Sequence, residues 1–422
     1  MTSQPKLRPS TGSRMDFIFV YAAYVLRYVY LLLLIPFYGR VLGVEGYGVV
    51  LAAMSLMTIC WRFVEWGFSQ VGIRELATAG PERYAQLYGQ HLSARGLLSL
   101  LAVLGGGAAI LLSPTLAAHP VAGIASVALG VVCAYNLGWY FVGTGRPRMG
   151  VKPEVLGFVI SLTLVFSLVQ DEDDADLAIL ALLCSGVVCL AVAHGWVRQE
   201  VRGARLSVSK GFELIRSSGA VFLFTGTSAL LVSSSTYLLS ILSTPAEVGT
   251  FGAAERLVAV GLSVMGPAGQ IFLPRITALL ADDVDAAYRL IRKASLLLLG
   301  IGFAGLAGSL LLGHWVIPLI FGPGFENSVR MLHYLALLFP LGAANLLLSS
   351  YILIPLRKDG LLAKVVLLGA GISLLLAFPL GSQYAGMGMV VARVVGDSIV
   401  FLGLLGCCWK LGILARLFNL RH

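Results

Sequence analysis

The stretch VLGVEGYGVV, residues 41–50, closes one long apolar run and opens the next. On either side lie apolar stretches of about 20 residues, each long enough to cross a hydrocarbon core ~30 Å thick. The same alternation recurs along the 422 residues, of which 58% are hydrophobic and 12% charged. Soluble domains carry roughly 25% charged residues, so this balance predicts an all-α polytopic membrane protein. Twelve transmembrane helices are expected. The second covers residues 47–68, the third 96–112 and the fifth 155–169.

The basic residues orient these spans. With twelve crossings both termini share one side, and 24 of the 30 lysines and arginines fall on it; only Arg40 and Arg330 fall on the other. The acidic loop DEDDAD, residues 171–176, also lies on that opposite side. By the positive-inside rule the N and C termini are cytoplasmic, and the net charge of +9 belongs to a membrane face, with no nucleic acid as partner. Residues 1–15 are polar and basic without an apolar signal core.

Residues 41–50 have a second copy. ILSTPAEVGTFGAA, residues 241–254, enters the eighth span with Phe251-Gly252 where the second has Tyr47-Gly48, and Arg275 later matches Arg74. The offsets, 204 and 201 residues, nearly agree. Parallel repeats of six spans each imply a transporter-like architecture with the substrate site between two six-helix lobes. The expected organisation is a cytoplasmic tail (1–15), an N-lobe (16–197), a basic cytoplasmic linker (198–216), a C-lobe (217–411) and a cytoplasmic tail (412–422).

Charges inside the spans mark the candidate site, since an ionisable group at bilayer depth costs from about 2.5 kcal/mol upward. Arg27 lacks a carboxylate three or four residues away, so it faces either a water-filled lumen or an acid on another helix. Arg62, Arg256 and Arg393 complete the cationic set for substrate binding. Glu65, Glu255 and Asp397 are candidates for charge pairing or for coupling a proton or sodium ion. Arg62 with Glu65 and Arg393 with Asp397 are spaced to neutralise each other on one helix face. Tyr21, Tyr24 and Tyr28 form a stripe beside Arg27, suited to stacking on a glycan or to packing. CWRFVEWGF, residues 60–68, ends the second span as a cytoplasm-facing gate or lumen wall, followed by Arg74 and Glu75 in a GIREL turn. Guanidinium groups hold phosphate in a fork of hydrogen bonds, so the set favours an anionic, phosphate-bearing substrate over a cationic drug.

Other signals lead away from chemistry. GIGFAG, residues 300–305, matches a dinucleotide fingerprint but lies within an apolar span, where it serves helix packing. There is no Walker A motif, and the six cysteines sit in apolar runs without metal-ligand spacing. No catalytic residue, metal ligand or cofactor is expected. The acidic loop reads as a solvated turn.

Several segments together resemble the polysaccharide repeat-unit flippases (O-antigen and exopolysaccharide transporters) of the MATE-like MOP superfamily. They are LLLLIPFYGRVLGVEGYGVV (31–50), WGFSQVGIRELA (66–77), NLGWYFVGTGRPRMG (136–150), VGTFGAAERLVAVGLSVMGPAGQIFLPRITAL (248–279) and YAGMGMVVARVVGD (384–397). Gly145 departs from the pattern, which often has a glutamate there. The resemblance implies a bacterial cytoplasmic (inner) membrane protein, not an enzyme. It would move undecaprenyl-diphosphate-linked repeat units to the outer leaflet by alternating access through a cationic central cavity. Membrane lipids, and the polymerase and glycosyltransferases of the same pathway, are the implied partners. The competing readings are a lipid II flippase, a multidrug/cation antiporter and, from another class, a membrane glycosyltransferase or polymerase.

Overall fold

The computed structural model describes the backbone of residues 14–413, and their side chains except residues 14–25, 28, 220, 223–232, 267, 270 and 281. Among the described residues there is no strand. The first half comprises α1 (Arg14–Val41), α2 (Gly43–Glu65), α3 (Phe68–Thr78), α4 (Tyr84–Leu112), α5 (Pro114–Ala118), α6 (Pro120–Ala134), α7 (Gly138–Gly143), α8 (Pro147–Leu168) and α9 (Ala175–Val197). The second comprises α10 (Val208–Leu242), α11 (Pro245–Ser263), α12 (Gly266–Asp282), α13 (Val284–Phe321), α14 (Glu326–Leu335), α15 (Leu338–Leu346) and α16 (Asp359–Lys410).

Helix boundaries follow the punctuation of the sequence. Proline opens α5, α6, α8 and α11, where its missing N–H has no intrahelical partner to lose. Ser113 and Asp283 accept the backbone N–H groups of Leu116 and Ala286, at 3.3 and 2.8 Å, and so cap α5 and α13.

Eight helical stretches among the described residues are long and apolar enough to cross a membrane. The first and seventh expected spans fall on α1 and α10, and the eighth is divided between α11 and α12. The last two both lie in α16, a 52-residue helix broken at Ala385, whose φ is 47°. Three boundaries differ from expectation. The second span ends at Glu65, and the GIREL segment is helical, within α3. The third and fifth begin earlier, so that Arg95 and Glu154 lie inside α4 and α8. Charge places the expected starts of the third and fifth spans inside the helices, yet both residues find partners on other helices.

Both halves contain a helix broken in the same place. The α2–α3 break at Trp66 and Gly67 corresponds to the α11–α12 break at Val264 and Met265. α2 is apolar almost all round, the mark of a buried helix, and packs against α4, α6, α9, α10 and α11. Its closest approach is to α11, at the end of the bundle that carries the acidic loop. A Cβ on Gly48 would lie 1.9 Å from the carbonyl oxygen of Pro245, and one on Gly249 would lie 2.1 Å from that of Val44. The same end is tied by the hydroxyls of Ser113 and Ser240, 2.9 Å apart, and by Tyr237, which donates to the carbonyl of Ala109 at 2.6 Å.

Gly48→Ala or Gly249→Ala should therefore wedge α2 from α11 and cost about 1–3 kcal/mol, as overpacking does. Thermal unfolding of the detergent-solubilised protein would show it as a lowered midpoint. Gly105→Ala, where nothing lies within 4 Å of the added methyl, should not lower it.

Candidate functional site

The α2–α3 break lies at the other end of the bundle, where the basic loops gather. Trp66 and Gly67 both adopt left-handed backbone conformations, φ 48° and 76°. Glycine takes this conformation readily and tryptophan does not, so the surroundings must hold Trp66 in place. Its indole Nε1 donates to the carbonyl of Ile215 at 3.1 Å, and its ring stacks on Phe222 with centroids 3.9 Å apart. Both partners belong to α10. Gly67 is required twice, since a Cβ there would also come within 2.9 Å of Val221.

Glu65 stabilises the break. Its two carboxylate oxygens accept the backbone N–H groups of Gly67 and Ser69, at 3.0 and 2.8 Å, and satisfy the opening turn of α3. The spacing-based pair with Arg62 does not form. Arg62 instead lies over the ring of Trp61, 4.2 Å from its centroid, and its buried Nε has no hydrogen-bond partner. A half-buried guanidinium without a carboxylate partner therefore stands at the break.

Behind it lies a cluster that composition and spacing did not single out. Arg95 is 2% exposed; its Nε donates to the carbonyl of Ala134 at 2.7 Å and its Nη1 lies 3.3 Å from His91 Nδ1. The rings of Phe68 and Trp139 are each 5.3 Å from its guanidinium carbon. His91 stacks on Trp139 and its Nε2 lies 3.2 Å from Glu75. Arg95 and Trp139, with Tyr88, Tyr135 and His194, line a cavity of about 10 Å³, room for roughly one water. The signal available in the sequence was His91 and Arg95 four residues apart on one helix face, and it was read as loop.

The remaining candidates separate into distinct places. Arg27, on α1, is ion-paired with Glu154 of α8, its Nε donating at 3.0 Å. Glu255 accepts a hydrogen bond from Thr236 at 3.0 Å, and neighbouring Arg256 is half-buried. Arg393 donates to Asp397 at 2.8 Å, and the carbonyl of Asp397 accepts from Asn345 at 3.2 Å. Arg74 is exposed, one residue before the partly buried Glu75. The side chains of Tyr21, Tyr24 and Tyr28 lie outside the described residues. In the acidic loop, Asp174 accepts the N–H groups of Gln170 and Asp171 at 2.8 and 3.0 Å, which folds the segment into a short turn.

The segment after α7 carries a third arginine–carboxylate pair. Arg146 grips Glu200 with two parallel bonds of 2.6 Å, and the Tyr140 hydroxyl donates to the same carboxylate at 3.0 Å. Gly145 beside it has φ 75°, and the family's usual glutamate would be strained there.

Comparison with known proteins follows from this geometry. Residues 14–280 match the family described as "Polysaccharide biosynthesis protein". A "Putative O-antigen transporter" of Escherichia coli (strain K12) is 24% identical over 88% of this chain and 91% of its own. One of the same name from Shigella dysenteriae is 22% identical over 90% and 95%. Among solved structures, the lipid II flippase MurJ in an inward closed conformation aligns with a TM-score of 0.71, at 11% identity over 96% of this chain and 90% of that one. An inward-facing multidrug resistance MATE family transporter of the MOP superfamily aligns at 0.64, with 16% identity over 92% and 98%. At such identities the structural likeness establishes the fold alone: this helical membrane protein shares the fold of those two transporters.

The Arg146–Glu200 pair makes a pH prediction. The paired guanidinium, and then the Tyr140 hydroxyl, hold the Glu200 carboxyl below its ordinary value. A depressed carboxylate contributes stability above its unfolded pKa of about 4.3 and loses it as pH falls through the folded value. Both side chains are about one-third exposed, so the contribution is below about 1 kcal/mol. Glu200→Gln should lower the unfolding midpoint modestly at pH 7. That difference from the parent protein should shrink as the pH falls below about 4.

Proposed function

Because the chain belongs to the polysaccharide biosynthesis protein family, matched over more than half its length, we propose that it is a flippase for lipid-linked glycans. Its substrate is an undecaprenyl-diphosphate-linked oligosaccharide repeat unit, and it works in the bacterial cytoplasmic membrane. The basic end faces the cytoplasm, and substrate moves from that leaflet to the outer one by alternating access. The observation that carries the reading is Arg62. It is a half-buried guanidinium at a helix break whose nearest sequence acid, Glu65, is fully used in capping backbone N–H groups.

A diphosphate matches that requirement, because its oxygens can fill the fork that no carboxylate among the described residues fills. Arg256 supplies a second half-buried cation from the corresponding broken helix of the other half. Arg27 and Arg393 already hold carboxylates, Glu154 and Asp397, and each would have to exchange its carboxylate for phosphate. Such an exchange gives the two conformations different contacts with the substrate, as a ligand-driven shift requires. The prenyl tail stays in lipid while the diphosphate and glycan pass between the halves.

The two closures differ in kind. At the acidic end, backbone meets backbone at Gly48 and Gly249. At the basic end, α10 is held to α2–α3 by the Trp66–Phe222 stack and one indole hydrogen bond, and to α4 by the close approach of Gly211 to the Ala94 backbone. An inside-negative potential favours outward movement of an anion by about 2.3 kcal/mol per charge per 100 mV.

Complementation of a strain lacking its own repeat-unit transporter tests the proposal. At matched protein levels, Arg62→Gln should reduce surface polysaccharide at least about tenfold, the equivalent of losing one charge-assisted hydrogen bond. Arg62→Lys should recover part of that loss. Undiminished export by Arg62→Gln would overturn the role of Arg62, and no export by the parent chain would overturn the substrate class.

A further inference from the structure

The segment that joins the two halves, residues 198–216, presents bases and large apolar side chains to the outside together. Arg198, Arg202, Arg205 and Arg216 are exposed and make no ion pair among the described residues; Lys210 pairs with Glu213 at 2.9 Å. Among them, Leu206 is 68% exposed, Val208 71% and Phe212 64%. Exposed leucines elsewhere, such as Leu104 and Leu111, sit within apolar runs. These three sit among arginines.

Backbone contacts on the opposite side fix this presentation. A Cβ on Gly89 would come within 2.6 Å of the Arg205 carbonyl, and one on Gly211 within 3.0 Å of the Ala94 nitrogen. Ser93 Oγ accepts the N–H of Ser207 at 3.0 Å, and Ser207 in turn caps α10. Gly211, Leu214, Ser218 and Phe222 form the buried face of the first turns of α10, so Val208 and Phe212 point away from the protein. α10 has 35 residues, about 52 Å at 1.5 Å per residue, against a hydrocarbon core of ~30 Å. Its first turns therefore extend past the core into the headgroup layer.

We infer that residues 198–216 form a docking surface for anionic phospholipid headgroups, with Leu206, Val208 and Phe212 seated at the acyl boundary and the four arginines among the phosphates. Apolar residues flanked by bases are the composition that binds the interface of an anionic leaflet, through buried area and charge together. The linker thereby anchors α10, whose Phe222 holds the Trp66 stack, to the membrane surface. The assignment rests on the residues being at the membrane interface. It does not rest on any glycan being the substrate, so it can fail while the flippase reading stands.

The full-length protein is reconstituted into nanodiscs of phosphatidylcholine, with or without phosphatidylglycerol. A nitrobenzoxadiazole label is placed at Ser209→Cys in a Cys184→Ser background, which removes the exposed native cysteine. Phosphatidylglycerol should increase quenching of the label by headgroup-level nitroxide lipid at least about twofold, and raised salt should reverse the increase. Arg202→Gln with Arg205→Gln and Arg216→Gln should abolish that dependence while the protein still elutes as a single species. A label equally water-exposed in both lipids would overturn the inference and leave an acidic protein surface as the partner. An unchanged phosphatidylglycerol effect in the triple variant would also overturn it, because the arginines would then not be the recognising groups.

Discussion

Everything else in this structure is arranged around the crossing of α2 and α11. Gly48 and Gly249 bring two backbones together at a distance that no side chain permits. Between lipid-embedded helices there is no hydrophobic driving force, so small residues that allow close packing are a main source of association. The crossing joins the two halves at one end of the bundle, and the Trp66–Phe222 stack with the approach of Gly211 to Ala94 joins them at the other.

The second organising constraint is the cost of polar groups in the membrane. A helix broken at Trp66–Gly67 exposes N–H groups that lipid cannot satisfy, and Glu65 accepts two of them. Arg95 is held by one carbonyl, one imidazole and two aromatic faces, with its buried Nη2 left without a hydrogen-bond partner among the described residues, while Glu154 pairs with Arg27 and Asp397 with Arg393. These arrangements account for most of these charges as structure. What is left over, Arg62 above all, is what a substrate could use.

The family segments fall where these constraints meet. YGVV contains the crossing glycine, WGF the helix break, and GWYFVG both the ring that stacks on His91 and the tyrosine that donates to Glu200. Their recurrence in order along the chain therefore has a physical basis, since each segment meets one geometric demand of the same bundle. Gly145 meets a local one, a left-handed turn before Arg146.

The helical membrane class and the family were legible in the sequence, because apolar length and ordered glycine-bearing motifs are local properties. The partners of the charges were not. Arg95 and Glu154 looked like loop residues, because charge in a sequence marks a boundary unless another helix receives it. Glu65 looked like the partner of Arg62, because spacing along a helix assumes that the helix continues, and this one stops at Trp66. Which charges are satisfied depends on contacts between segments far apart in the chain, Arg27 with Glu154 and Trp66 with Phe222 among them. Only the tertiary structure decides those, since the energy of a buried charge is set by what surrounds it and not by its neighbours in sequence.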